Sequence, residues 1–280
     1  MKYEIKYKGK LLDIVELKND SNLTKREFFL IRREITKVDD FEVFGKKWNL
    51  SLAAVKSIYG NEIVHMVKKR YHWLKRESHI FLKKWKDGES IVDIARRCHF
   101  PAVLIARFIL EEMGYSKSEI TECIRNPQNI HFRANMNNER LIREILETRN
   151  VDFVYSPAAD NKSKKVGKDG ETKLENWLKE KNISFRTEKD LSEDEEHKNT
   201  IKKTPDILLD EPIYVNEMEV WWLESKSIFG TPKEMKRHRK IQFKPYIRLF
   251  GKGIVVYWHG YTMDVLHDKD FIVVNSTFFQ

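Results

Sequence analysis

Cysteine is nearly missing from this chain, with Cys98 and Cys123 the only two in 280 residues. Two are too few for a disulfide framework, and their separation rules out a paired CxxC zinc site. Both read as reduced core residues. Long apolar runs are missing as well: no stretch approaches the roughly 18 uncharged residues that a membrane helix needs. The opening Met1-Lys2-Tyr3-Glu4-Ile5-Lys6 alternates charged with apolar side chains and does not read as a leader. The expectation is a chain with no membrane partner, placed inside the cell, in the cytoplasm and in the nucleus as well if the source is eukaryotic. Strand signals are nearly absent between about Thr24 and Thr148. What is present is 41% hydrophobic and 12% aromatic residues, a composition that argues against disorder and supplies two ordinary cores.

Net negative charge is lacking too, since 52 Lys and Arg outnumber 43 Asp and Glu for a formal +9. Residues 1–150 hold 30 cations against 21 acids, whereas residues 151–280 hold 22 against 22. A basic face attracts phosphate backbones and releases counterions on binding. An ordinary solvated helical surface carries the same composition.

After an opening segment, Tyr3 to Leu17, that reads as a strand pair, Thr24 is the expected N-cap of a helical stretch reaching about Thr148. Two parts of it share a helix, tight turn and second helix. The first is Phe41 to Trp48, Asn49-Leu50-Ser51, then Leu52 to Tyr59. In the second, Ser90 caps Ile91 to Arg97, Cys98-His99-Phe100 turns, and Pro101 opens Ala102 to Leu110. This second part reads as a helix-turn-helix whose second helix, carrying Arg107, would be the reader, although any helical hairpin gives the pattern. Between the two parts, Lys68, Lys69, Arg70, Lys75 and Arg76 interleave with Tyr71, His72 and Trp73, and Lys83, Lys84 and Lys86 surround Trp85. Such spacing suits phosphate contact with base or sugar stacking. A solvated face with Trp73 and Trp85 turned into the core has the same spacing.

Beyond Asn150 the character changes. Residues 156–170 are polar and contain glycine, and read as a linker or an active-site loop. The elements expected after them are a helix Glu171 to Lys181, a strand Ile183 to Arg186, an acidic loop Glu193 to Glu196 and a strand Asp206 to Leu209. A turn at Asp210-Glu211-Pro212, a strand Met218 to Ser227, a helix Lys233 to Phe250 and strands Gly253 to Trp258 and Phe271 to Val274 complete the list. That order implies a mixed sheet with flanking helices, in a chain that is α+β as a whole. The expected division is a basic helical domain over 1–150 and an α/β domain over 151–280.

The residues that point to chemistry are Pro205-Asp206 at the start of one strand and Glu224-Ser225-Lys226 near the end of the next. Side chains two apart on a strand share a face, so Glu224 and Lys226 point one way and Ser225 the other. If the strands form a hairpin, Asp206 meets Glu224. Two carboxylates and the Ser225 carbonyl then make a hard oxygen site of the kind Mg2+ or Mn2+ prefers, with Lys226 set to hold water and offset charge on a phosphoryl group. Glu171 is a further carboxylate for this site, and Glu175 lies one turn from it. Glu and Lys two apart on a strand are often only an ion pair. Here they follow Val220-Trp221-Trp222-Leu223, an apolar strand in which unpaired charge is costly. Gln242 and Tyr246, at i and i+4, share a helix face able to reach the same phosphate or its base. Ahead of them Lys233, Lys236, Arg237, His238, Arg239 and Lys240 form a basic run suited to steering a strand.

Thr204-Pro205-Asp206, Trp222-Leu223-Glu224-Ser225-Lys226, Gln242 with Tyr246, and Gly253 to Gly260 together resemble the TPD-motif family of PD-(D/E)xK nucleases. The likeness is densest from Glu171 to Gly260, with a weaker echo over Pro101 to Glu111. The resemblance implies a restriction-endonuclease-like core that hydrolyses phosphodiester bonds with Mg2+ or Mn2+, behind a region rich in helix-turn-helix units. By position it makes Asp206 and Glu224 metal ligands, Lys226 the catalytic lysine, Glu171 the helix carboxylate, and Gln242 and Tyr246 a QxxxY element. That element is common among related nucleases that act on DNA ends or single strands. A protein partner is implied as well, because an animal member of the family pairs with codanin. The reading is a nuclease acting on nucleic acid, DNA favoured over RNA. An RNA nuclease, or a nucleic-acid-binding or partner scaffold with a residual site, are the alternatives.

Overall fold

The computed structural model describes residues 2–18, 21–35, 41–129, 138–193, 203–263 and 269–280. Two compact units result, one of Met1–Tyr59 with Val166–Gln280 and the other of Gly60–Lys165. The division expected at residue 150 is not where these units part. The reason is strand pairing: β1 (Lys2–Tyr7) and β2 (Lys10–Glu16) form the expected hairpin, and β1 then pairs with β4 (Ile207–Val215), some two hundred residues on. A strand buried in a sheet belongs to that sheet's unit whatever its place in the chain.

Short helices α1 (Lys25–Glu34) and α2 (Phe41–Trp48) follow the hairpin. Thr24 caps α1 in a reciprocal box with Glu27, as its position predicts. The long α3 (Leu52–Arg76) then carries the chain into the helical unit, which continues with α4 (Ser78–Lys86), α5 (Ile91–Cys98), α6 (Ala102–Glu112), α7 (Lys117–Arg125) and α8 (Asn138–Val151). Ser90 caps α5, and His99 closes it in the left-handed region at φ 45°. Two inward-facing carboxylates hold the next helix starts: Glu144 accepts from the Ile91 N–H at 2.9 Å and from Trp85 Nε1 at 3.1 Å, and Asp152 accepts from the Val103 N–H at 3.1 Å.

The expected reader helix has to be corrected. In α6 Ala102, Val103, Leu104, Ile105, Ala106, Phe108, Ile109 and Leu110 are all buried, which leaves half-buried Arg107 and exposed Glu111 and Glu112. The α5–turn–α6 geometry is present, but a helix apolar on nearly every side is the centre of a bundle. It offers no polar face to a groove.

The linker expected over 156–170 is also corrected, since it forms the first half of α9 (Pro157–Glu180). The Ser156 hydroxyl accepts from the Ala159 N–H at 3.2 Å, Pro157 takes the first helical position, and Asp160 pairs with Lys164 at 2.9 Å. From the acidic stretch, Glu193 ends α10 (Glu188–Glu193), and residues 194–196 lie outside the described residues.

The sheet runs β2-β1-β4-β5-β6-β7, with β3 (Phe185–Thr187) on the other half of β4. β5 (Met218–Lys226) is antiparallel to β4 and parallel to β6 (Gly253–Tyr257), which is parallel to β7 (Phe271–Val274). The sheet is therefore mixed and the chain α+β. The β4–β5 turn is not at Asp210-Glu211-Pro212 but at Asn216-Glu217, both left-handed at φ 44° and 65°, as a two-residue hairpin requires. Residues 210–212 instead span a register break within β4, where its outer neighbour changes from β3 to β1. One face of the sheet packs Leu174, Trp177 and Leu178 of α9 against Leu223, Ile254 and Val256. The other packs Trp222, Val255 and Tyr257 against Met235, Phe243 and Tyr246, from α11 (Pro232–His238) to α12 (Lys244–Phe250).

Candidate active site

Two peptide strands bring the carboxylates together. Ile207 pairs with Leu223, so continuing the register sets Asp206 opposite Glu224 and Pro205 opposite Ser225. The Asp206 carboxylate accepts the Ser225 backbone N–H at 2.7 Å, and the Glu224 carboxylate accepts the Asp206 backbone N–H at 3.3 Å. Lys226 Nζ donates to the other Glu224 oxygen at 2.5 Å. Asp206, Glu224 and Lys226 thus form one cluster, as their spacing predicts, at the β4–β5 end where α10 begins. The Glu188 N–H donates to the Asp206 carbonyl at 3.1 Å.

Glu224 is 2% exposed. Burial first, and then the Glu224 charge, pushes the Asp206 carboxyl well above its ordinary range. Burial also raises Glu224, against the pull of Lys226. Tyr246 packs against Trp222 near this pair, and burial followed by the charges of the two carboxylates pushes its ionisation upward, so its hydroxyl stays protonated. Of the two carboxylates left open on α9, Glu171 is the one whose charge is felt at Asp206. Lys168 holds Glu171 at 3.2 Å and Glu175 at 3.8 Å.

Among the described residues, no group of three or more His, Cys, Asp or Glu side chains stands ready-made for a metal. A hard divalent ion needs less: Mg2+ keeps several waters and is commonly held by one or two carboxylates. Two facts suit such an ion. Asp206 and Glu224 carry more negative charge than their buried surroundings tolerate. The Ser225 peptide faces β4, and its carbonyl lies opposite Pro205, which has no N–H to donate.

Gln242 does not join the cluster. Arg239–Phe243 forms a π turn, not a uniform α-helix, so the i, i+4 argument that put it on the Tyr246 face does not carry it to the carboxylates. It is half-buried, with no hydrogen bond to the site among the described residues. Of the basic run, Lys236 and Lys240 are exposed, while Arg237 is engaged by Glu234 at 2.7 Å. In the helical unit Lys75 pairs with Glu111 at 2.8 Å, and Arg70 donates to the Cys98 and His99 carbonyls. Lys68, Lys69 and Arg76 are exposed. Trp85 is buried, as expected for a solvated helix face that turns its tryptophans into the core, whereas Trp73 is 52% exposed.

Sequence reasoning missed two supports of the site. His238 reads as one more cation of a basic run, yet it is buried, with Nδ1 3.0 Å from the Tyr257 hydroxyl and Nε2 2.9 Å from an Arg237 nitrogen. A guanidinium can only donate, so Nε2 accepts and the ring is neutral. Burial, then the charges of Lys226 and Arg237, pushes His238 down to about 3. The signal was the i, i+4 step from Glu234 on the inward face of α11. The other support is Gly170, where a Cβ would come within 2.6 Å of Ser227 Oγ, 2.7 Å of Trp258 Nε1 and 2.8 Å of Ser225 Oγ. Trp258 Nε1 donates to Ser225 Oγ at 2.8 Å, and without a side chain at 170 the α9 backbone lies against that bond. Glu171 is the next residue.

A family model described as "Protein of unknown function TPD sequence-motif" matches residues 137–278. Among similar proteins, "CDAN1-interacting nuclease 1" of Homo sapiens is 28% identical over 231 residues, 77% of this chain and 78% of the relative. The protein of that name from Danio rerio is 25% identical over 78% of this chain and 74% of its own length. "Uncharacterized protein L539" of Acanthamoeba polyphaga mimivirus is 34% identical over 61% of this chain and 54% of its own. No solved structure matches the chain. The matched segment carries Asp206, Glu224, Lys226 and Tyr246 together, and the chain belongs to the TPD-motif family.

Proposed function

We propose that the chain is a metal-dependent nuclease with a restriction-endonuclease-like PD-(D/E)xK core, acting on DNA. The observation that carries this reading is the convergence of Asp206, Glu224 and Lys226 on one buried strand end, with both carboxyls driven up by burial. The arrangement of hairpin and parallel strand, between α9 on one face and α11–α12 on the other, supports it. So do the relatives named as nucleases. Those same names carry an interaction with CDAN1, and a protein partner is part of the proposal.

In this reading Asp206, Glu224 and the Ser225 carbonyl would hold Mg2+ or Mn2+, with Glu171 adding a carboxylate from the α9 side. Such an ion would supply Lewis acidity toward a phosphoryl oxygen. Lys226 supplies a fixed cation beside the reacting phosphate, where charge grows as the phosphoryl group is attacked. Tyr246, kept protonated beside the two carboxylates, is a hydroxyl donor for the phosphate.

The test is Asp206→Asn and Glu224→Gln, each purified and assayed on labelled single-stranded, duplex, flap, splayed and junction DNA and on RNA, with Mg2+ and with Mn2+. Cleavage should be abolished and binding largely kept, because each change removes a charge and keeps the shape. Undiminished turnover by either variant would overturn the site. Cleavage of RNA alone would reassign the substrate.

A further inference from the structure

The exposed side of α3 carries an arrangement that the nuclease reading does not use. Lys69, Trp73 and Arg76 stand at i, i+4 and i+7 and are all exposed, so they line one stripe of the helix over about 10 Å. Trp73 is 52% exposed in a chain that buries Trp85 and Trp222 almost completely. Among the described residues no carboxylate pairs with Lys68, Lys69 or Arg76, whereas neighbouring Lys75 is taken up by Glu111. Trp73 is also braced. The Arg70 guanidinium lies 5.9 Å from the ring centroid and is itself fixed on the C-terminal carbonyls of α5, 2.9 Å from Cys98 O and 3.2 Å from His99 O. A large flat aromatic side chain held toward water between cations that no carboxylate takes up combines the two contacts a nucleotide offers, a ring face and a phosphate.

We propose that this stripe is a stacking platform for single-stranded nucleic acid, with the Trp73 indole taking one base and Lys69 and Arg76 the phosphates on either side. A single strand is the occupant that fits. Its unpaired bases offer faces to an indole, and aromatic rings set between cations bind strands without reading sequence. A duplex keeps its base faces in its own stack, and α6, which would have read a groove, is buried. This proposal deepens the nuclease reading by naming the form of the substrate, but it concerns binding and holds or fails without the chemistry.

The experiment measures fluorescence anisotropy of labelled oligo-dT and oligo-rU, and of a blunt duplex of equal length, on the intact protein in EDTA, so that cleavage plays no part. The variants are Trp73→Leu, Trp73→Phe and Lys69→Gln with Arg76→Gln. Binding should favour the single strands. Trp73→Leu should weaken it about 5-fold to 100-fold, Trp73→Phe should retain most of it, and the double cation variant should weaken it and flatten its salt dependence. All are surface changes and should leave the melting temperature in place. Single-strand affinity unchanged in Trp73→Leu, or lost equally for strand and duplex, would overturn the platform; the first result would favour a face for a protein partner, and the second a face that takes nucleic acid of either form.

Discussion

At the scale of single residues, Lys226 and His238 separate catalysis from support. Lys226→Met keeps the volume and removes the cation. If Lys226 stabilises charge on the phosphoryl group, the rate should fall about 10²-fold to 10⁴-fold. Metal affinity, followed by calorimetry, should stay level or rise, because a like charge beside the ion is gone. A rate within a fewfold of wild type would reduce Lys226 to the ion-pair partner of Glu224. His238 makes a prediction about pH. Its ring is held neutral in the fold, with ionisation pushed down to about 3 by burial and by Lys226 and Arg237, against an ordinary value of 6.5. Between those values the unfolded chain binds a proton that the folded one refuses, so stability is full above about pH 6.5 and drains away as pH falls toward 3. Urea midpoints at pH 5 and pH 7 should therefore differ more for the wild type than for His238→Gln. An equal difference in both proteins would show that the ring is not the group responsible.

At the scale of elements, α9 supplies a paired test. Alanine forms helix better than glycine by roughly 1 kcal/mol, and Gly167 has nothing within 4 Å of where a Cβ would stand. Gly167→Ala should therefore stabilise the protein by about 0.5–1 kcal/mol in urea unfolding. Gly170→Ala receives the same propensity gain, yet its Cβ would drive into Ser225, Ser227 and Trp258. It should destabilise the protein, and it should slow cleavage because α9 must lift off the strand that bears Glu224, carrying Glu171 with it. Stabilisation by both changes would mean that the close approach of α9 to β5 matters neither for stability nor for the site.

At the scale of the whole molecule, the discontinuous sheet unit decides how the chain can be cut. A fragment of residues 60–165 contains a complete core of its own, from Val67 to Ile145, and should fold, melt cooperatively and cut nothing. A fragment of residues 151–280 holds every proposed catalytic residue but leaves β4 without β1 along Ile213–Val215. It should be aggregation-prone and poorly protected in hydrogen exchange, since an unpaired, apolar strand edge is exposed. Co-expression of residues 1–59 with residues 166–280 should restore protection over β4. Native-like exchange in the isolated 151–280 fragment would show that β1 is dispensable.

What the sequence determined by itself was local. Period-two alternation marked β1, unbroken apolar runs marked β6 and β7, capping residues marked the starts of α1 and α5, and the two-residue step from Glu224 to Lys226 placed a carboxylate and a cation on one face of a strand, whereas the register break within β4 is what sets Asp206 opposite Glu224. Only the tertiary structure decided the rest. Burial of α6 turned an apparent reader into a core, and that depends on what packs around a helix, not on its own pattern. The helix through Gly167 and Gly170 looked like a loop because glycine is read as a break, whereas here Gly170 is needed where α9 meets Ser225. His238 belonged to a run of cations until the fold turned it toward Tyr257. The pairing of β1 with β4 joined residues some two hundred apart, a distance over which no local pattern in the chain carries information.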